Sequence, residues 1–323
     1  MCAFIFTCAF ASTLFALSLV NTVLHAQPGR IKLIDTGKSV VVKTGPHDFT
    51  TYDYTTYAKP IFYPLLGPKQ IPMTRNFPMK KVADESIDHP HHKSMWIGHV
   101  IDGIDFWTEK EGRVKLTGVK IDQDNASFTA DHDWIEYSSN KTILRDKLTA
   151  TFSAKPNARM IDVSIEFSPV EKAVKFNDSK EGFFAVRVHP NLRGKPETEG
   201  APRGFMTNST GQTGAGIWGK RARWVDYSGE INGQQCGVAI FDHPSNLRHP
   251  TTWHARDYGL LAANPFGAHY FQKKPKSTGQ YELKPGHPLQ FNYRVLLHSG
   301  VWGKRDIEII FRDFADSQNK KQP

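Results

Sequence analysis

The chain has 323 residues, of which 39% are hydrophobic and 23% charged, so it can bury the core of one large domain or two smaller ones. Its 41 lysines and arginines outnumber its 32 aspartates and glutamates, giving a formal net charge of +9. These basic residues are scattered, and no nucleic-acid-binding module is recognisable, so nucleic acid is not expected as a partner. The charge favours a protein that faces anionic surfaces or polysaccharides.

The N-terminal segment, residues 1–26, carries no charged side chain and contains an apolar run over residues 10–20. This pattern predicts a signal peptide cleaved after Ala26, and hence a periplasmic or secreted protein without integral membrane insertion after signal removal. Because no Lys or Arg precedes the apolar run, a retained membrane anchor is the alternative, although the run is short for a bilayer span. Two of the three cysteines fall in this segment, so Cys236 alone remains and no internal disulfide is expected.

Strand patterns follow one another along most of the chain. Apolar and polar residues alternate over 147–152 and 161–167, and the turn-forming residues 154–158 between them predict an antiparallel hairpin. Similar short runs are separated by Gly, Pro, Asn and Asp, and they cover residues 40–43, 114–117, 183–188, 237–241 and 291–297. The sequence therefore predicts an all-β fold, a large antiparallel β-sandwich.

One amphipathic helix is predicted near the C-terminus, where Ile307, Ile310, Phe311 and Phe314 recur at helical spacing. We expect this helix to pack on the sandwich and to close an open end. Because no repeat or long linker interrupts the pattern, residues 27–316 are predicted to form a single domain, followed by a disordered tail over residues 317–323.

A dense polar cluster occupies Asp88–Trp96, with three histidines within four residues around Pro90. An extended backbone would place His89 and His91 on one face and His92 on the other, and this His-x-His spacing suits a divalent metal such as Zn, Fe or Cu. A third ligand at a fixed interval is missing. Metal-free acid–base chemistry by His91 and His92 is therefore the preferred interpretation. The structural alternative is that these histidines only cap backbone groups.

A second cluster spans residues 181–191. On the predicted strand 183–188, Phe183, Ala185 and Arg187 share one face, and an arginine on such an apolar face needs a carboxylate or an anionic or hydroxyl-rich ligand. His189 follows at the strand end, where loops often collect functional groups.

A third cluster spans residues 221–227 and 242–246 and continues through 253–259 to 264–267. Aromatic side chains offer flat surfaces for sugar C–H faces, although any single Trp is more often a core residue. Guanidinium, imidazole, carboxylate and amide groups in the same stretch can hydrogen-bond hydroxyls. Phosphate-loop, dinucleotide, nucleophile-elbow and His-Glu-x-x-His motifs are all missing. The combination suggests a carbohydrate ligand.

Six motifs together resemble the PmoA-like family of exported bacterial proteins: Phe62-Tyr63-Pro64-Leu65, Thr74-Arg75, 88–96, 105–107, 242–244 and 255–259. The likeness covers nearly the whole chain after the signal segment, and it implies a β-sandwich protein associated with sugar degradation. The family's old label, methane oxygenase, does not suit this sequence, because a membrane monooxygenase subunit needs several spanning helices.

A fainter resemblance is to the galactose mutarotase sandwich, in which a His and a carboxylate act around a sugar ring. The matching run here is His189-Pro190-Asn191-Leu192, with Arg75 as a hydroxyl clamp.

Together these patterns predict an exported carbohydrate-active enzyme that uses acid–base chemistry on a glycoside or an oxidised sugar, as a hydrolase, lyase or epimerase, with a small sugar or an oligosaccharide as its partner. A non-catalytic envelope sugar-binding protein is the alternative, and a metal-dependent oxygenase is a weaker one. The predicted catalytic residues are His91, His92, His189 and Asp257. The predicted substrate-binding residues are Arg75, Trp96, Arg187, His243, Trp253, His254, Arg256 and Asn264. His89 and His91 are the predicted metal ligands, and we expect all of these residues largely to line one concave site.

Overall fold

The computed structural model describes Met1 and residues 29–317. Except for Met1, the predicted signal peptide lies outside the described residues, and so do residues 318–323 of the predicted tail. The described part of the chain forms three antiparallel sheets. This architecture confirms the predicted all-β sandwich.

The first sheet contains eight strands in the order β1-β2-β3-β4-β5-β13-β18-β17. Their bounds are β1 Ile31–Asp35, β2 Ser39–Thr44, β3 His47–Asp53, β4 Ile61–Phe62, β5 Met95–Gly98, β13 Phe183–Arg187, β17 Trp253–Ala255 and β18 Leu260–Ala263.

The second sheet also contains eight strands, in the order β14-β15-β16-β20-β11-β10-β9-β8. They are β8 Gly112–Asp122, β9 Ser127–Glu136, β10 Thr142–Lys155, β11 Ala158–Pro169, β14 Phe205–Asn208, β15 Trp224–Ile231, β16 Gln234–Asp242 and β20 Leu289–Ser299. A small third sheet joins β19 Tyr281–Leu283, β12 Val174–Phe176, β6 Val100–Ile101 and β7 Ile104–Asp105. Three short 3-10 turns lie at Pro68–Gln70, Pro190–Leu192 and Gly214–Ile217.

The main core lies between the two large sheets. The predicted hairpin is confirmed as β10 and β11, which pair in register from Leu144 with Pro169 to Lys155 with Ala158. Alternation along β11 sends Ile161, Val163 and Ile165 into this core. Period-2 patterning thus decides which side chains are buried between the sheets.

Two helices accompany the sheets, α1 Ala268–Gln272 and α2 Lys304–Ser317. The predicted C-terminal helix is α2, and it buries Ile307, Phe311 and Phe314. These side chains pack against Trp224, Phe241 and other residues on the outer face of the second sheet. The helix therefore covers a sheet face and does not close an end of the sandwich, because the apolar residues that match its stripe lie on that face. Neither helix in the described residues is long and apolar enough to cross a membrane.

The outer face of the first sheet carries a third apolar cluster, separate from the main core. It includes Trp96, Trp107, Ala185 and Ala262, with Tyr258 packed against it. This is the face on which the predicted polar clusters meet.

Candidate functional site

The floor of the site is a row of residues that face each other across five strands. In register, Ile61 of β4 pairs with Trp96 of β5, Trp96 with Ala185 of β13, Ala185 with Ala262 of β18, and Ala262 with His254 of β17. Side chains of directly opposed residues point to the same face of a sheet. Trp96 and His254 thus flank a stretch of small side chains on the outer face.

The strand β13 carries Arg187 to this same face. Ala185 belongs to the outer cluster, whereas Phe184 and Val186 lie in the main core, as the alternation predicted. Phe183 departs from the prediction, because it is packed in the main core. Arg187 is fully buried, so its charge has to be balanced by groups on this face.

The histidine segment is a tight turn, which corrects the expected extended conformation. The backbone N–H of His92 donates to the carbonyl of His89 at 2.9 Å, and His89 has a φ of +43°. Pro90 occupies the second position of this turn, where its fixed φ is favourable. As a result the three imidazoles gather instead of alternating: the ring centres of His91 and His92 are 4.4 Å apart, and those of His89 and His92 are 4.8 Å apart.

Asp88 fixes this turn to two buried arginines. Its Oδ1 accepts from Nη2 of Arg187 at 2.9 Å and from Nη1 of Arg75, while Nδ1 of His89 lies 2.8 Å from its Oδ2. Partial burial raises the pKa of Asp88, but Arg187, His89 and Arg75 outweigh that effect and bring it to about 2. The carboxylate is therefore charged at neutral pH.

Arg75 serves the fold of this loop. Besides Asp88, its guanidinium donates to the carbonyls of Phe77, Ser86, His89 and His92, at 3.1 to 3.5 Å. The side chain is 1% exposed. The structure thus places the predicted hydroxyl clamp where it holds the histidine turn, with its donors engaged by the protein.

The imidazoles of His91 and His92 are neutral at physiological pH. Burial, with the charges of Lys59 and His89, lowers the pKa of His91 to about 4. Burial and the neighbouring cations lower the pKa of His92 well below its ordinary value. Both rings can therefore serve as uncharged hydrogen-bonding groups or bases.

His92 lies in the middle of an aromatic stack. Its ring is 5.2 Å from Trp96 and 6.4 Å from Tyr258, with interplanar angles of 22° and 13°. Nη1 of Arg187 lies 3.4 Å from Nδ1 of His92. A guanidinium can only donate, so Nδ1 accepts and the proton of the neutral ring is assigned to Nε2.

Several buried polar atoms on this face have no hydrogen-bond partner among the described residues. They are Nε2 of His92, Nε1 of Trp96, Nε1 of Trp107, Nε of Arg187 and Nδ1 of His254. A buried polar group without a partner costs roughly 1–3 kcal/mol, so the concentration of five on one face marks a place where a polar ligand would be stabilised.

A cleft opens beside the histidine turn, between it and the loop at residues 108–110. Its volume is about 460 Å3, and it is lined by His89, Pro90, His91, Lys93, Thr108, Glu109 and Lys110. No hydrogen bond from another described residue reaches the imidazole nitrogens of His91, which is half-buried. His89 and His91 both border this cleft, but Nδ1 of His89 is directed to Asp88, so His91 is the imidazole with both nitrogens open to a ligand, whereas His92 is 1% exposed.

A carboxylate that the sequence analysis left without a role, Glu181, lies near this face and forms an ion pair with Lys180. Its charge raises the pKa of His91 and of His254, although burial brings the pKa of each ring down to about 4. The side chain of Asn264 holds the loop that precedes Glu181, because its amide donates to the carbonyls of Ser179 and Lys180, both at 3.0 Å. Glu181 belongs to the second cluster of the sequence, but the effect of its charge on His91 and His254 depends on how this loop is held.

Of the remaining predicted residues, Arg256 and His254 reach the same face. The Arg256 guanidinium lies 5.6 Å from the ring of Tyr258, and Arg187 lies 4.7 Å from that ring. No hydrogen bond or ion pair engages the Arg256 guanidinium within residues 29–317. Asn264 is fully buried, and its amide is used for the loop.

Other predicted residues lie elsewhere or serve the backbone. His243 is placed against α2, with Nδ1 near Oγ of Ser245 and Nε2 near the carbonyl of Ala315. Trp253 is buried in the main core, and its Nε1 donates to Ala222.

His189 caps the turn that follows β13, where its Nδ1 accepts from the N–H of Asn191. Asp257 is half-buried, and its backbone carbonyl accepts from Lys195. The predicted residues that reach the outer face of the first sheet thus do not include His243 and Trp253. These two residues were proposed from residue type and proximity in sequence, and neither signal reports which face a side chain occupies.

No group of three or more His, Cys, Asp or Glu side chains that could hold a metal ion is found in the described part of the chain. His89 and His91 have ring centres 5.8 Å apart, and Nδ1 of His89 is directed to Asp88. The predicted ligand pair is thus brought close without a third protein ligand among these residues.

A model for the Family of unknown function (DUF6807) matches residues 39–312. The chain belongs to this family. The match spans the first sheet from β2 onward, the second sheet and most of α2, so the site of this DUF6807 chain lies within the shared region. No curated protein matches the sequence. The resemblance to PmoA-like proteins stays a prediction.

Solved structures share only a distant likeness with this DUF6807 chain. The galactosidase domain of the alpha-galactosidase-sucrose kinase AgaSK has a TM-score of 0.45 and 8% identity, covering 83% of this chain and 42% of that one. A polysaccharide lyase has a TM-score of 0.35 and 11% identity, covering 86% and 34%. A galactose mutarotase related enzyme from Lactobacillus acidophilus has a TM-score of 0.28 and 12% identity, covering 83% and 97%. The chain spans less than half the length of the first two, and at these scores none assigns a substrate or a reaction.

Proposed function

We propose that the chain is a carbohydrate-active enzyme that removes a proton from the carbon next to the carbonyl carbon of an oxidised sugar, as an epimerase or a lyase. One observation carries this proposal. A neutral, half-buried imidazole, His91, lines a cleft beside a face on which several buried polar atoms are unpartnered. A cleft of about 460 Å3 is of the size that holds small ligands.

His91 is the proposed base. Its pKa of about 4 keeps the ring unprotonated at neutral pH, and its nitrogens are not engaged by the described residues. On taking a proton from the sugar carbon, the ring becomes positively charged. The charge of Glu181, which raises the pKa of His91, would favour that protonated state.

Arginine guanidiniums are assigned the second role, which is to stabilise the negative charge that forms when the proton leaves. When the C–H bond breaks, its electron pair moves onto the adjacent carbonyl oxygen and forms an enolate. Arg256, which has no protein partner in residues 29–317, and Nε of Arg187 are the donors proposed to stabilise that oxygen. Return of the proton to the opposite face gives an epimer, whereas loss of a substituent from the next carbon gives an eliminated product.

Proton transfer of this kind fits the site better than glycoside hydrolysis. Hydrolysis needs an acid that is protonated at neutral pH and placed at the glycosidic oxygen. The pKa values of His91, His92 and His254 are all lowered by burial, so these rings are poor acids at that pH. Within the broader class predicted from sequence, the lowered pKa values of these rings thus favour an epimerase or a lyase.

The experiment is a hydrogen-exchange assay in D2O. Purified protein is incubated with a panel of keto-glycosides and uronic acid glycosides, and NMR follows deuterium entry at the carbon next to the carbonyl. We expect exchange with at least one sugar, and we expect His91→Ala to reduce its rate by about 100-fold or more. His47→Ala, at an exposed position of β3, is the matched control and should exchange like the wild type.

Sugar binding by the panel with neither exchange nor an unsaturated elimination product, which the same spectra report, would favour the non-catalytic sugar-binding alternative. Exchange that persists unchanged in His91→Ala would remove His91 from the mechanism. Export of the protein belongs to the same proposal, and N-terminal sequencing of protein recovered outside the cytoplasm is expected to show cleavage after Ala26.

A further inference from the structure

Two buried lysines share one carboxylate beneath the histidine turn. Nζ of Lys59 lies 2.7 Å from Oε1 of Glu109, and Nζ of Lys93 contacts Oε2 of the same residue. The side chains of Lys59 and Lys93 are only 1% and 8% exposed. Lys59 also donates to the carbonyls of His91 and Trp107, at 3.2 and 2.8 Å. This group of Lys59, Lys93 and Glu109 is called the lysine cluster below.

The lysine cluster has one more positive charge than negative charge. Asp105 is near enough to raise the pKa of Lys59, but its Oδ1 accepts from the N–H of Thr108 at 2.8 Å. Asp88, the carboxylate on the other side of the turn, is bound to arginines. Despite Glu109, burial lowers the pKa of Lys59 to about 8, with Lys93 contributing to the decrease. A buried cation without its own counter-ion is costly, so an anion placed beside it would be stabilised.

The cleft described above opens onto the lysine cluster. Lys93 and Glu109 line it together with His91, and Lys110 adds an exposed ammonium at its rim. Glu109 is the only carboxylate among the lining residues, and it is already shared by two lysines. The cleft therefore presents net positive charge to a ligand that also contacts His91.

We propose that this cleft is an anion subsite that binds the carboxylate of an acidic sugar, so that the substrate is a uronic acid or its glycoside. The inference rests on the proposed function in taking a sugar as the ligand. In a uronate the acidic C–H bond is on the carbon that bears the carboxylate, so the carboxylate in this cleft takes up the electron pair, and Arg256 and Nε of Arg187 donate to the other oxygens of the sugar. Neutralising the carboxylate makes that C–H bond more acidic, and His91 lines the same cleft as Lys93.

The test is a comparison of binding affinities. Glucuronate and galacturonate are titrated against glucose and galactose by calorimetry, with the full-length protein. We expect the wild type to prefer the uronate by about tenfold or more, equivalent to about 1.4 kcal/mol, and to lose much of that preference in high salt. Lys93→Gln should abolish the preference, because it leaves Lys59 and Glu109 as a neutral pair. Lys43→Gln, which removes an exposed lysine paired with Asp48, is the matched control and should keep it.

Equal affinity for acidic and neutral sugars would overturn the subsite, and so would a uronate preference that survives in Lys93→Gln. Tighter binding of a sugar 6-sulfate than of the uronate would overturn the carboxylate assignment. If Lys93→Gln does not fold, the wild-type preference and its salt dependence decide the question. Uronate selectivity with neither deuterium exchange nor an elimination product would refute the proposed function alone. Exchange of neutral keto-sugars that depends on His91, without uronate selectivity, would refute the subsite alone.

Discussion

Replacing Asp88 by Asn tests the electrostatic basis of the histidine turn. The carboxylate joins Arg75 and Arg187, which are 1% and 0% exposed, to the segment that carries His89 and His91. Arg75 keeps its carbonyl acceptors in the variant, but Arg187 loses the one carboxylate that contacts it among the described residues. We expect a loss of about 3 kcal/mol in the free energy of unfolding, which is the lower end of the range for breaking a buried ion pair.

Part of that loss depends on pH, with a sign that follows from the pKa shift. The folded-state pKa of Asp88 is about 2, below its ordinary value of 3.8. The ionised carboxylate therefore stabilises the fold fully above pH 4, and this contribution disappears as the pH falls towards 2. The shift corresponds to about 2 kcal/mol, which we reduce to about 1 kcal/mol because the side chain is 40% exposed and solvent screens it.

Urea denaturation of the wild type and Asp88→Asn at pH 7 and pH 3 measures both quantities. The difference between the two proteins should be smaller at pH 3 than at pH 7. Asp48→Asn is the matched control, since Asp48 pairs with Lys43 at 2.7 Å but is 59% exposed, and it should cost at most about 0.5 kcal/mol. A loss below about 0.5 kcal/mol at pH 7 for Asp88→Asn would refute the reasoning.

Three further outcomes are expected. Because the pKa of His91 is about 4, kcat/KM for the proposed reaction should rise through pH 4 and stay level from pH 5 to 8. A rise centred near pH 6.5 would contradict the assignment of His91 as the base. Asn264→Ala removes two hydrogen bonds donated to the loop before Glu181 and one accepted from the N–H of Phe266, so the free energy of unfolding should fall by about 2 kcal/mol. Amide exchange over residues 179–181, measured by mass spectrometry, should accelerate. Unchanged exchange there would argue against a loop-holding role. Phe311→Ala should lower the free energy of unfolding by about 3 kcal/mol, measured by heat or urea, because it leaves a cavity between α2 and the second sheet. Ile309→Ala, at a 56% exposed position of the same helix, should cost less than about 0.5 kcal/mol. Equal losses would contradict the observed packing.

Local sequence patterns predict the class of fold and the position of the C-terminal helix α2. Alternation over residues 147–152 and 161–167 specifies which side chains face the core, because the side-chain period of a strand is local and needs no knowledge of the partner strand. The helical spacing of Ile307, Phe311 and Phe314 is local in the same way. The histidine segment was identified from composition, since such a density of imidazoles has little use in a core.

Tertiary structure decided which polar residues meet. Trp96, Ala185, Ala262 and His254 form one row only because β5, β13, β18 and β17 are neighbours in the sheet, and strand order is not written in any local pattern. The same holds for the lysine cluster, in which a residue at position 59 meets others at 93 and 109.

The separation of His243 and Trp253 from the site has a related physical cause. A residue's type reports the chemistry that it can perform, but its access to a ligand depends on which face of which sheet it occupies. His243 was assigned by chemistry alone, and the packing of α2 against the second sheet determined its actual partners.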